Sequence, residues 1–121
     1  MKVYNTPFNT GTILNTTFFS EPFQLNQGFG YSIQAVITGI PTGTFSLQSS
    51  TDPNTGAANL TFSHPTNFNL IAGSSVNVTD SGIITWNVTD VMYNYVRVSY
   101  TDGSGGASTA TMSGTINQKG I

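Results

Sequence analysis

The sequence predicts an all-β chain: a two-sheet antiparallel β-sandwich, jelly-roll-like, of seven to nine short strands. Three observations lead there. Apolar and polar residues alternate over short runs, the period of a strand with one buried face. Clusters of Gly, Pro, Asn, Asp and Ser separate these runs at intervals of about 8 to 12 residues. Helix formers are scarce, with three Lys plus Arg and a single Glu in 121 residues.

The first 27 residues mix Asn, Thr, Phe and Pro without sustained alternation. They read as an N-terminal arm or edge strand that packs on a neighbour, with Phe8, Phe18, Phe19 and Phe23 as interface candidates. Residues 28–121 read as the sandwich, a single domain overall. Tyr31, Ile33, Ala35 and Ile37 alternate with Ser32, Gln34 and Val36, then Gly39, Pro41 and Gly43 make a turn. Phe45 and Leu47 alternate with Ser46 and Gln48, so these two runs are expected to pair as a hairpin. Asp52-Pro53-Asn54-Thr55-Gly56 opens a surface excursion holding one short strand, Asn59 to Ser63. Val76 and Val78 form a short strand before the Asp80-Ser81-Gly82 turn. In the next strand Ile84, Trp86 and Val88 point one way, with Trp86 as core anchor. Tyr93 to Tyr100 reads as a central strand carrying Tyr93, Tyr95, Arg97 and Ser99 on one face and Val96, Val98 and Tyr100 on the other. Thr101 to Ser108 is a loop of hairpin type, and Thr109 to Gln118 returns with Ala110, Met112, Gly114 and Ile116 on one side.

Composition excludes several function classes. Eight Phe, five Tyr and one Trp supply a core, and a length of 121 residues suits one domain. Only 7% of residues are charged, whereas Thr 19, Ser 13 and Asn 12 make the chain polar through hydroxyls and amides. A net charge of -2 builds no cationic face for nucleic acid or anionic lipid. No apolar run approaches the roughly 18 residues of a membrane span, and Met1 to Thr12 lacks the order of a signal peptide. Without Cys there are no disulfides or thiolate metal sites.

Catalytic chemistry finds little material. His64, the single His, stands before Pro65 with no acid nearby in sequence. Glu21, Asp52, Asp80, Asp90 and Asp102 are dispersed, four of them among turn residues. The loops starting at Asp52 and Asp102 lack the spaced acids of a dedicated calcium site, so neither metal nor cofactor is assigned. The Asn-Xaa-Thr triplets at Asn15, Asn59, Asn77 and Asn87 are about as many as chance gives in so Asn- and Thr-rich a chain. Arg97, the only Arg, sits among Tyr93, Tyr95 and Tyr100. It reads as a guanidinium stacked on a Tyr or paired with an acid, with a ligand contact as the other possibility.

Two stretches carry a resemblance. Gly39 through Asp52, followed by Ser81-Gly82, Trp86-Asn87-Val88, Tyr95 through Tyr100 and Lys119-Gly120, resembles small bacteriophage structural proteins over about Tyr31 to Gly120. The same pattern resembles, more distantly, discoidin-like sandwiches, with Ser50-Thr51-Asp52 at the turn. The phage resemblance implies a virion component without enzyme activity: a capsid decoration, vertex or head-fibre protein. Its partners would be copies of itself, as a homo-oligomer such as a trimer, and other capsid or virion proteins. The discoidin resemblance implies the alternative, a carbohydrate-binding module for host attachment. Its ligand-contact candidates are Asp52, Asn54, Tyr93, Tyr95 and Arg97.

Overall fold

The computed structural model describes residues 2–25, 30–51, 67–89 and 91–120. Ten strands appear in chain order: β1 Lys2–Ile13, β2 Phe18–Phe19, β3 Phe23–Gln24, β4 Tyr31–Thr38, β5 Gly43–Ser50, β6 Asn69–Leu70, β7 Val76–Val78, β8 Gly82–Val88, β9 Tyr95–Asp102 and β10 Thr111–Gly120. They build two antiparallel sheets. Sheet A has the order β1-β10-β4-β8. In sheet B the central pair β9-β5 is flanked by the short strands β2 and β3 on one side and β6 and β7 on the other.

The inner faces follow the alternation. Tyr31, Ile33, Ala35 and Ile37 of β4 are buried, as are Met112 and Ile116 of β10 and Trp86 of β8. Facing them from sheet B are Phe45 and Leu47 of β5 and Val96, Val98 and Tyr100 of β9. Trp86 anchors the stack as expected, and its indole Nε1 donates to the Ser74 carbonyl at 2.9 Å, tying β8 to the edge of sheet B. Phe8 of β1 meets Phe23 of β3 edge-on, with ring centroids 5.1 Å apart, and closes the opposite side.

The expected hairpins are not formed. β4 and β5 lie in different sheets, and so do β9 and β10. Their apolar faces meet across the core instead of side by side, and period-two alternation is satisfied equally by either arrangement. The 39–42 connection therefore crosses between layers, with Gly39 at φ +95° making the bend. The run at Tyr93 also begins later than expected, because β9 starts at Tyr95.

The first residues belong to the sandwich itself. β1 is the edge of sheet A, and β2 and β3 form an interrupted edge of sheet B. Phe8 is 8% exposed and part of the core, with Phe18 and Phe23 packed against it. These three rings cover this chain's own apolar interior. The short strand expected at Asn59 to Ser63, and His64, lie outside the described residues.

Candidate functional site: two outer faces

Three of the four sheet edges are interrupted. β1 carries a bulge between Phe8 and Thr12, where Asn9 (φ 47°) and Gly11 (φ 71°) turn left-handed and Ser113 Oγ accepts the Gly11 N–H at 3.1 Å. Pro7 on the same strand has no N–H to offer. The β2/β3 edge breaks at Ser20 and the β6/β7 edge at residues 71–75. By contrast β8 pairs with β4 over seven residues, Gly82 through Val88, without a break. Among the described residues nothing pairs with its other side.

The outer face of sheet A adjoins that edge. Cross-strand register sets Asn5, Asn117, Ser32 and Asn87 in one row, and Pro7, Thr115, Gln34 and Thr85 in the next. A third row contains Ser113, Val36 and Ile83. No residue in these rows is charged. Ile83 is 62% exposed and Val36 40%. A shallow cleft of about 240 Å³ at the end of the sheet is lined by Tyr31, Ser32, Asn87, Val88 and Gln118 among others.

The outer face of sheet B holds a different arrangement. Arg97 lies at the middle of β9 opposite Gln48 of β5, and its Nε donates to Gln48 Oε1 at 2.8 Å. The guanidinium carbon lies 3.8 Å from the ring centroid of Phe19 and 3.9 Å from that of Phe68. The cation is thus held between a ring of β2 and one that precedes β6. Partial burial pushes its pKa below the ordinary value, the direction expected for a charge moved away from water. Among the described residues the stacking partners are two Phe rather than a Tyr, and the polar partner is an amide rather than an acid. That corrects the sequence reading of Arg97.

The other candidates fall out as follows. Tyr95 is buried at the start of β9, opposite Ser50. Tyr93 precedes the strand, and its hydroxyl lies 2.6 Å from that of Tyr31 on sheet A. It is therefore separate from Arg97, correcting the single face drawn for both. Burial, and the neighbouring hydroxyl, hold the Tyr31 proton more tightly than usual. Asp52 and Asn54 lie outside the described residues. Phe19 joins Arg97, unlike the other three Phe candidates. Gln48 and Phe68 were missed. Gln48 could have been found from its outward position in the β5 alternation, whereas Phe68 follows no period.

Asp102 is engaged within its own loop. Its Oδ1 accepts the Ser104 hydroxyl at 2.6 Å and the Ser104 N–H at 2.9 Å, and Oδ2 accepts the Gly106 N–H at 3.0 Å. These bonds hold its carboxyl below the usual carboxylate range.

Comparison with known proteins places this architecture. No family model and no curated protein matches the chain. Among solved structures, the SPBc2 prophage-derived protein YomS shares the fold with a TM-score of 0.54 and 15% identity, over 98% of this chain and 96% of that one. The CBM22-1–GH10 modules of Clostridium thermocellum xylanase 10B align at TM-score 0.48 and 16% identity, over 98% of this chain and 25% of that one. The adhesin domain of Lys-gingipain from Porphyromonas gingivalis aligns at 0.40 and 12% identity, over 99% and 90%. The chain thus has an all-β sandwich fold similar to that of a phage-derived protein.

Proposed function

We propose that this chain is a structural component of a phage particle, a capsid-associated decoration, vertex or head-fibre protein that works by protein–protein assembly and not by catalysis. The observation that carries the reading is the three uncharged rows on the outer face of sheet A, which end in the unbroken β8 edge. Exposed strand edges recruit further strands unless they are bulged, broken or charged. Three edges here carry such devices and β8 carries none. A face of Ser, Thr, Asn and Gln with exposed Val36 and Ile83 offers little repulsion to a partner. The fold shared with a prophage-derived protein along nearly the whole of both chains agrees with this setting.

Light scattering on the purified protein tests the assembly. The expected result is a stable multiple of 12.8 kDa, reduced to a monomer by Ile83→Lys, which places a charge on the exposed face beside the β8 edge. A monomeric parent protein, or an oligomer indifferent to Ile83→Lys, would overturn the assembly surface. Particle location is checked by probing gradient-purified phage with an antibody to the chain, and absence from the particles rules out a virion role.

The Arg97 platform on the opposite sheet favours a second role compatible with the first, carbohydrate binding. A glycan array without hits would remove it.

A further inference from the structure

The arrangement around Arg97 leaves part of its hydrogen-bonding capacity open. Both faces of the guanidinium are covered by rings, and Nε is bonded to Gln48. The two Nη amino groups have no partner among the described residues. No buried side-chain nitrogen or oxygen among those residues lacks a partner, so the Nη groups reach solvent. No acid of the described residues is paired with this cation. A half-buried charge with no counter-charge among the described residues is costly to hold in place. Here the two rings and Gln48 limit its rotation, so the geometry is set before any ligand arrives.

We propose that this platform binds an acidic saccharide, with the Arg97 Nη groups taking the carboxylate of a uronic-acid residue. Paired parallel N–H donors match the two oxygens of a carboxylate, which a single point charge does not. The surroundings select the rest of the ligand. β9 and β5 each have strands on both sides, so their main-chain groups are taken up by those strands and by the Ser20 and Ser74 hydroxyls and offer nothing to an added peptide strand. Recognition at this position must come from side chains. Ser46 and Thr101 on the same face supply hydroxyls for sugar hydroxyls, and Phe19, 50% exposed, supplies an apolar edge for sugar C–H groups.

This inference rests on the carbohydrate-binding role and narrows it. The test is an NMR titration of the native protein, following the Arg97 Nε–H resonance and the backbone amides of β9. The probes are tetragalacturonate, its neutral galactose counterpart and tetraglutamate. The expected result is saturable movement of the Arg97 resonance with tetragalacturonate only. Arg97→Gln, confirmed folded by its amide spectrum, is expected to weaken tetragalacturonate binding at least about tenfold, and Arg97→Lys to restore little of it, because Lys retains the charge without the fork. Equal binding of the neutral sugar would overturn the acidic specificity while leaving carbohydrate binding in place. Absence of binding to either sugar would overturn both. Equal binding of tetraglutamate, or an undiminished Arg97→Gln variant, would also overturn the proposal.

Discussion

Ser20 and Ser74 stand at the two ends of one transverse row of sheet B. Ser20 Oγ accepts the Val98 N–H at 2.8 Å, and Ser74 Oγ accepts the Leu47 N–H at 3.0 Å. Val98 and Leu47 are register partners at the centre of the sheet. Each serine therefore supplies, with its side chain, the acceptor that the broken edge strand does not provide. Both are buried, at 4% and 5% exposure, so no water substitutes easily.

Replacing either serine removes an acceptor and leaves a buried N–H unpaired. Ser74→Ala should cost about 1–3 kcal/mol, and Ser20→Ala a similar amount. Ser74→Ala is expected to be the more damaging, since its hydroxyl donates to the Ile71 carbonyl at 2.6 Å, a shorter bond than the 3.1 Å one from Ser20 to the Glu21 carbonyl. Urea unfolding of the two variants beside the parent protein measures both. Losses well under about 0.5 kcal/mol would show that the edges do not depend on these hydroxyls.

The Phe8 ring occupies the place where a side chain on Gly114 would stand. A Cβ built there overlaps the ring, which is itself backed by Phe23. Gly114→Ala should therefore destabilise by about 1–3 kcal/mol through overpacking. In combination with Phe8→Leu the cost should be smaller than the sum of the two single changes. A double-mutant cycle reads this coupling directly, and strict additivity would contradict the contact.

Stability should fall on the alkaline side. Tyr31, Tyr93 and Tyr100 all have pKa values raised above the ordinary 10.0, chiefly by burial. Below pH 10 both folded and unfolded chains keep these protons, so stability is unaffected. Above it the unfolded chain ionises first, and folding weakens by at most about 1.4 kcal/mol per pH unit for each such tyrosine. Denaturant unfolding between pH 8 and pH 11.5 should show this decline, and Tyr31→Phe should make it shallower. A flat profile would contradict the burial of these hydroxyls.

Asp102 gives the opposite dependence. Its bonds to Ser104 and Gly106 lower its folded pKa below the ordinary 3.8, so their contribution is present at neutral pH and is lost as the pH falls below that value. Asp102→Asn keeps one acceptor oxygen but replaces the oxygen that takes the Gly106 N–H with an NH₂ group. Amide exchange at Gly106 should accelerate in this variant at pH 7, with the core amides of β9 unchanged. Unaltered exchange would show that the carboxylate does not hold the loop.

Much of this molecule is determined locally. The strands containing Ile33, Trp86, Val98 and Met112, and which of their faces are buried, follow from alternation alone, because successive residues of a strand point to opposite sides. Polarity through hydroxyls and amides follows from composition, and with it the uncharged rows on the outer face of sheet A. Which strands pair is a different matter. Phe45 and Leu47 satisfy the same inward pattern whether they lie beside Ile33 and Ile37 or opposite them, and only the packing of two complete layers selects the second. The aromatic residues at the start looked available to a neighbour, yet Phe8 and Phe23 are needed to close the core on the side away from Trp86. The Arg97 platform was less legible still. Its parts come from positions 19, 48, 68 and 97, and no local period links them. Tertiary structure alone brings them together, because a sheet sets side by side residues that the chain holds far apart.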